Sequence, residues 1–97
     1  MIRLEFSWNP AKAKSNKNKR GVSFEEAQTV FYDDNARLSH DPDHSLDEDR
    51  YILLGLSAVL RLLIVCHNYR EGNSIIRIIS GRKATRNEQK QYTELMP

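Results

Sequence analysis

The sequence predicts an α+β fold, a small domain with a mainly antiparallel β-sheet and about three helices packed on it. Long apolar, β-forming segments lie at residues 51–57 and 61–69, and a third lies at residues 74–80. Helix-start signals precede this group and also follow it. A chain of 97 residues is long enough for one modest hydrophobic core, so we expect residues 1–97 to form a single domain.

The first strand is predicted at the N-terminus, because apolar residues at positions 2, 4, 6 and 8 alternate with polar ones. Asn9 and Pro10 follow as a helix-start pair, with asparagine as the N-cap and proline at the first helical position. We expect this first helix to end at Gly21, since glycine commonly terminates helices.

A second helix is predicted from Ser23, because Glu26 three residues later completes a capping box. A short strand is expected at residues 36–40. The acidic stretch D-P-D-H-S-L-D-E-D-R at residues 41–50 is interpreted as a solvated loop.

The strands after this loop carry apolar residues on both faces, which is typical of strands covered on both sides. We expect the helices to cover one face, and a partner protein, a second subunit or RNA bases to cover the other. Thr85 and Glu88 form a second capping box, which predicts a final helix.

The net charge is only +2, but basic and acidic residues are concentrated in different segments of the chain. Residues 1–24 and 51–97 are mainly basic, whereas residues 25–50 are mainly acidic. The two basic segments could converge on one face and attract a polyanion, or the acidic segment could neutralise them. The sequence leaves both open. It contains no apolar run long enough to span a bilayer, so we expect a cytoplasmic protein without a membrane partner.

The most informative stretch is S-I-I-R-I-I-S-G-R-K-A-T-R-N-E-Q-K-Q-Y, where a β-forming run meets a basic turn before a helix. Helix N-termini present unpaired N–H groups and favour anions, so basic residues near a helix N-terminus predict a phosphate-binding site. The alternative is that they are ordinary solvated surface residues. The cations concerned are Arg77, Arg82, Lys83 and Arg86.

No metal or cofactor is expected. The acidic loop imitates the start of a calcium loop, but Leu46 stands where glycine is needed and Ile52 where a bidentate glutamate is needed. His40 and His44 are separated by a proline, and the single Cys66 does not complete a zinc set. Cys66 is interpreted as a small core hydrophobe.

His67 is the one histidine in a predicted strand, and Arg61 shares its face by parity. A three-residue turn after this strand would place Arg77 opposite His67, whereas a two-residue Gly72-Asn73 turn would send Arg77 to the other face. We favour the first. An imidazole beside guanidinium groups suits RNA cleavage without metal, where the base removes the 2′-OH proton. Alternatively, His67 ends a strand and hydrogen-bonds across the sheet.

Taken together, the motifs resemble the BrnT family of bacterial toxins. The likeness covers nearly the whole chain, in the order W-N-P-A-K-A, N-K-N-K-R-G-V-S-F-E-E-A, D-P-D-H-S, R-Y-I-L-L-G-L-S, R-L-L-I-V-C-H and R-I-I-S-G-R-K-A-T-R-N-E-Q-K-Q-Y. The resemblance implies a RelE-like ribonuclease paired with a ribbon-helix-helix antitoxin of the BrnA type. It also implies that operator DNA is bound only through the toxin–antitoxin complex.

The resemblance also marks individual positions, which are Lys19, Arg50, Gly55, His67, Arg77, Arg82 and Tyr92. The chain departs from the family pattern at two of its residues. Arg20 stands where histidine is common, which removes a proton-transfer group, and Gly81 stands where alanine is usual, which should loosen the turn that positions Arg82.

The resulting hypothesis is a metal-independent endoribonuclease that inhibits translation. His67 or Lys19 would take the proton, with Arg77 and Arg82 as the other catalytic residues. The expected phosphate-binding or RNA-binding residues are Arg61, Lys83, Arg86 and Tyr92, the last of which would either stack on a base or pack internally. The main rival is a binding module without catalysis that acts in operon autorepression with an antitoxin. A third possibility is a purely structural subunit of a larger complex.

Overall fold

The computed structural model describes residues 3–41 and 49–94. Most of the predicted acidic loop lies outside the described residues. The elements in chain order are β1 (Glu5–Ser7), α1 (Pro10–Arg20), α2 (Phe24–Thr29), a 3₁₀ turn (Val30–Tyr32), β2 (Arg37–His40), β3 (Tyr51–Leu56), β4 (Leu62–Arg70), β5 (Ile75–Lys83) and α3 (Arg86–Glu94). These elements confirm the predicted α+β class.

The five strands form one sheet in the order β1-β5-β4-β3-β2. Strands β2 to β5 pair antiparallel with their neighbours, and β1 joins the edge of β5 in parallel. The sheet is therefore mainly antiparallel, as predicted.

Helices α1 and α2 cover one face of the sheet, here called the α1 face. Their predicted start and stop signals are confirmed: the Asn9 side chain accepts from the N–H groups of Ala11 and Lys12, and Gly21 ends α1 with φ of 71°. Ser23 caps α2 by accepting from the N–H of Glu26 at 3.0 Å. The core on this face consists of Val22, Phe24, Ala27, Val30, Leu53, Leu63, Val65 and Ile78.

Asn16 completes the edge of β5 beyond the part that pairs with β1. Its side-chain amide donates to the carbonyls of Gly81 at 2.9 Å and Val22 at 2.8 Å, and its Oδ1 accepts from the N–H of Gly81. The side chain thus acts as a strand surrogate that satisfies the exposed backbone groups of the edge.

Strand β5 continues through Lys83, so Gly81, Arg82 and Lys83 lie in a strand. The prediction that they form a basic turn was wrong. The physical reason is that the edge of β5 is bonded by Asn16 and its other side pairs with β4 as far as Lys83, so the ladder has partners on both sides. Gly81 therefore does not loosen a turn.

Helix α3 lies on the opposite face of the sheet, here called the α3 face. Tyr92 and Ala84 pack there against Leu54 and Ile64. The prediction that all helices share one face was wrong, because the chain leaves β5 at Ala84, whose N–H bonds the carbonyl of Leu62, and turns towards the apolar side chains of the second face.

The start of α3 is fixed to β5 by one carboxylate. Glu88 accepts from the Thr85 N–H at 2.8 Å, and Thr85 Oγ1 accepts from the Glu88 N–H, which confirms the capping box. The same carboxylate receives two N–H groups of Arg82, at 2.8 and 2.9 Å. The Arg82 guanidinium is the main reason why the pKa of Glu88 falls to about 2.

Gly55 marks the closest approach between β3 and the segment after α2. A Cβ at this position would lie 2.8 Å from a methyl group of Val30 and 2.9 Å from Cβ of Ala36. By contrast, a Cβ at Gly81 would come no nearer than 3.3 Å to Val22. Only the first spacing is shorter than real carbon contacts allow.

We predict that Gly55→Ala lowers the free energy of unfolding by about 1–3 kcal/mol, because the new methyl group overpacks the core. Urea denaturation would measure this loss. Gly81→Ala in the same sheet is the matched control and should cost distinctly less. Equal losses from the two variants would contradict the close approach at Gly55.

We also predict that acid destabilises this protein through Glu88. Because its folded-state pKa of about 2 lies below the ordinary value near 4.5, the stability it contributes is complete above about pH 4.5 and is lost as the pH falls towards 2. Glu88→Gln keeps the capping geometry but removes the charge that titrates. Between pH 5 and pH 2 the variant should therefore lose about 1–2 kcal/mol less of its free energy of unfolding than the wild-type protein. The effect is limited to this size because Arg82 is partly exposed and solvent screens the ion pair. Urea unfolding between pH 5 and pH 2 would measure the free energy of unfolding at each pH. If this free energy falls equally with pH in the wild-type protein and the variant, the prediction is refuted.

Candidate active site

A pocket of about 220 Å³ opens on the α3 face across β3, β4 and β5. The cross-strand register builds its floor in two rows, Ile52–Cys66–Ser80 and Ile64–Arg82. Side chains directly opposite each other on paired strands point to the same face, so these rows bring three strands to one place. The lining residues are Asp41, Arg50, Ile52, Ile64, Cys66, Ser80 and Arg82.

Two guanidinium groups and one carboxylate give the pocket its polar character. Arg50 precedes β3 and Asp41 follows β2, and their backbones are joined by the hydrogen bond from the Asp41 N–H to the Arg50 carbonyl at 2.9 Å. Asp41 is buried, and its Oδ2 lies 3.9 Å from the Cys66 sulfur. The pocket therefore combines cations that can bind phosphate with a carboxylate that can accept a proton.

Cys66 lines this pocket but is a poor nucleophile. Burial raises the pKa of its thiol, and the charge of Asp41 adds to this effect. Since the thiolate is the reactive form, a raised pKa keeps the sulfur protonated at neutral pH.

Arg82 is held in place without losing all of its binding capacity. Glu88 bonds its two terminal nitrogens, and Nη1 also donates to the Lys83 carbonyl at 3.3 Å. A guanidinium has five N–H donors, so these bonds leave Nε and one hydrogen of Nη2 without a partner among the described residues. The side chain is 37% exposed. Its Nε–Nη2 edge can therefore grip a second oxyanion.

Arg61 shares the α1 face, as parity predicted, but it joins α2 to the start of β4. Its Nε donates to Glu26 Oε2 at 2.9 Å, Nη2 forms a short hydrogen bond to Oε1, and Nη2 also donates to the Gly21 carbonyl. The Arg61 guanidinium lowers the pKa of Glu26. The edge that could grip a phosphate is thus occupied by a carboxylate.

His67 is fully buried on the same α1 face. Its ring packs edge-on against Phe31, and its nitrogens lie 3.1 Å from the Val65 carbonyl and 3.2 Å from the Tyr69 hydroxyl. Burial lowers the pKa of the imidazole. The sheet separates His67 from the pocket, so the geometry does not bring the two together.

Arg77 lies opposite Asn68 and not opposite His67. The favoured three-residue turn was wrong, because Arg70 pairs with Ile75 across a four-residue turn that spans residues 71–74. Positive φ at Glu71, Gly72 and Asn73 makes this longer turn possible. Arg77 consequently lies on the α3 face, in the row next to the pocket.

The other predicted residues are dispersed. Lys19 lines a separate groove beside α1, and Lys83 lies at the end of β5 near Arg61. Arg86 is exposed at the first position of α3.

Tyr92 is buried, which favours the packing alternative. Its hydroxyl donates to Asp33 at 2.7 Å, and burial together with that carboxylate raises the pKa of Tyr92 to about 12.

Of the predicted site residues, the structure places Arg82 in the pocket and Arg77 beside it, and it also places there Arg50, which the resemblance alone marked. Sequence reasoning missed Asp41 and Ser80, and it assigned Cys66 to the core. The signal that could have found them is the alignment of positions 52, 66 and 80 in one row, which requires the strand register.

Within residues 3–41 and 49–94, no helix is long and apolar enough to cross a membrane. In the same ranges, no three side chains of His, Cys, Asp or Glu gather as a metal site.

The sequence matches a protein family described as the ribonuclease toxin BrnT of type II toxin-antitoxin systems, over residues 8–88. The fold is similar to the 1.1 Å crystal structure of the Brucella abortus ribonuclease toxin BrnT, with a TM-score of 0.66 over 87% of this chain and 100% of that chain. The identity of 20% makes this a likeness of fold. No curated protein matches the sequence. Since the family match spans most of its length, the chain belongs to the BrnT family of type II ribonuclease toxins.

Proposed function

We propose that this protein is a metal-independent endoribonuclease that inhibits translation, and that cleavage takes place in the pocket on the α3 face. The observation that carries the proposal is that Arg50, Arg82 and Asp41 all line this one pocket of about 220 Å³. Membership of a family of ribonuclease toxins supports RNA as the substrate.

The chemistry we propose is attack of a ribose 2′-OH on the adjacent phosphate. The attack forms a 2′,3′-cyclic phosphate and breaks the bond from phosphorus to the 5′-oxygen of the next nucleotide, which leaves and takes a proton from water. Asp41 would accept the 2′-OH proton, a step that typically contributes ~10²–10⁴-fold. Arg82 would bind the phosphate through its Nε–Nη2 edge while Glu88 holds the terminal nitrogens. Arg50 would face the same group from the end of the acidic segment, and Arg77 would bind a neighbouring phosphate.

Two guanidinium groups can stabilise the extra negative charge of the phosphorane, which is the reason for proposing a reaction without metal. Cleavage should therefore persist in EDTA. His67 and Arg61 have no role in this mechanism, because both lie on the α1 face, where one is buried and the other is paired with Glu26.

The family implies an antitoxin partner. We propose that this antitoxin is a ribbon-helix-helix protein of the BrnA type, and that the toxin reaches operator DNA only within their complex. The substrate of the unpaired toxin would be cytoplasmic RNA, and loss of that RNA would stop translation.

Arg82→Ala is predicted to reduce RNA cleavage by 10²-fold or more, because the phosphate loses its bidentate donor. Arg3→Ala, at an exposed position before β1, is the matched control and should retain near-wild-type activity. Purified proteins incubated with RNA in EDTA would give the rates, with circular dichroism as the check on folding. Arg82→Lys should recover only part of the loss, since lysine lacks the planar fork.

Wild-type activity in the Arg82→Ala variant would remove the pocket from the mechanism. Retention of RNA by the wild-type protein without any cleavage would favour the alternative function, a binding module without catalysis.

Asp41→Asn is predicted to slow cleavage by about 10²-fold or more while leaving RNA affinity the same or slightly higher, because it removes a base and a negative charge without removing a cation. Single-turnover kinetics and filter binding would separate the two effects. Asp34→Asn, at an exposed turn, is the control for loss of one carboxylate. Weaker RNA binding by the Asp41 variant would contradict the assignment.

A further inference from the structure

A second groove lies beside the sheet edge, between α1 and β5. Its volume is about 230 Å³, and its lining residues are Lys12, Ser15, Asn16, Lys19, Arg20 and Ile79. The helical members follow the spacing of one helix face, so their side chains are neighbours. Helix α1 contains no acidic residue. We call this feature the α1 groove.

The cations of the α1 groove are not neutralised within the described part of the chain. Lys12, Lys19 and Arg20 form no ion pair there, whereas Arg61 and Arg82 are paired with Glu26 and Glu88. Unpaired cations keep their full attraction for a polyanion, whereas the charge of a paired cation is partly offset by its carboxylate.

A bulge in β5 places the α1 groove next to the pocket on the α3 face. The pairing with β4 shifts between Cys66 and His67, which leaves Ile79 as the extra residue. Ile79 lines the α1 groove, and the next residue, Ser80, lines the pocket. Consecutive Cα atoms are about 3.8 Å apart, so only the width of one strand separates the two sites.

We propose that the α1 groove is a second RNA-binding site, which holds the sugar-phosphate backbone of the strand that extends from the pocket. This inference rests on the proposed function. Lys12 and Arg20 are eight residues apart, about 12 Å along the helix at ~1.5 Å per residue. A stacked strand advances ~3.4 Å per nucleotide, so the groove matches about three to four nucleotides.

The chemistry of the lining predicts how this site recognises RNA. Ammonium and guanidinium groups, a hydroxyl and an aliphatic side chain contact phosphate and sugar without reading base edges. Binding should therefore be insensitive to sequence and strongly sensitive to salt. An RNA that ends within the pocket would gain no affinity from the α1 groove, whereas a longer RNA would bind more tightly because it contacts both sites.

The test compares a double variant, Lys12→Ala with Arg20→Ala, with the control double variant Lys14→Ala with Lys90→Ala. Both lose two positive charges from exposed helix positions, but only the first changes the α1 groove. Each protein would be assayed with a trinucleotide and with a 12-nucleotide RNA, for cleavage and for binding of an uncleavable 2′-O-methyl form.

The groove variant should bind the 12-nucleotide RNA about 10-fold more weakly than the control, and the slope of log K against log salt should fall by about 1.4 for two lost contacts. Its activity on the trinucleotide should match the control. The proposal would be overturned if both double variants lost the same affinity for the 12-nucleotide RNA. It would also be overturned if the groove variant lost the same activity on the trinucleotide as on the 12-nucleotide RNA.

The outcomes also separate this inference from the proposed function. If no protein cleaves RNA but long RNA still binds through Lys12 and Arg20, the α1 groove is supported and the nuclease mechanism fails. If RNA binding is unchanged in the groove variant while binding of the antitoxin weakens, the groove is a protein interface and the present proposal is overturned.

Discussion

The bulge at Ile79 is the constraint on which the rest of the pocket depends. Arg77 and Arg82 are five residues apart, and side chains separated by an odd number point to opposite faces of a regular strand. The extra residue reverses the alternation, so Arg77 pairs with Asn68 and Arg82 with Ile64 on the same α3 face. It also allows Ile79 to line the α1 groove while Ser80 lines the pocket. The one inserted residue thereby places Arg77 and Arg82 on the same face, whereas a regular strand would place them on opposite faces.

The fold uses its arginines in two distinct ways. Arg61 gives its side edge, Nε and Nη2, to Glu26, and the result is a tie between α2 and β4. Arg82 gives its terminal nitrogens to Glu88 and keeps its side edge for another anion. The two ion pairs have different consequences. In Arg61 the Gly21 carbonyl accepts the second hydrogen of Nη2, so neither edge remains for bidentate binding of a phosphate, whereas in Arg82 the side edge stays open.

Local signals predicted the elements well, because each depends on neighbours in sequence. Asn9 with Pro10 and Thr85 with Glu88 start helices as expected, and Gly21 ends α1. What sequence reasoning missed is nonlocal. The four-residue turn and the bulge together decide the face of Arg77, and neither has a residue pattern that fixes it uniquely. Parity correctly put Arg61 and His67 on one face, but only the packing of α1 and α2 reveals that this face is closed.

The charge division along the chain has a structural outcome that combines both alternatives left open by the sequence. Neutralisation by the acidic segment occurs at Arg61, which pairs with Glu26, whereas Arg82 pairs with Glu88 of its own C-terminal segment. Convergence also occurs, because the N-terminal basic segment supplies α1 on one side of β5 and the C-terminal basic segment supplies Arg82 on the other. Neutralised cations fix the positions of the helices, while the cations of α1 retain their field. Two basic segments distant in sequence therefore meet beside β5, where their charges add to the attraction for a polyanion.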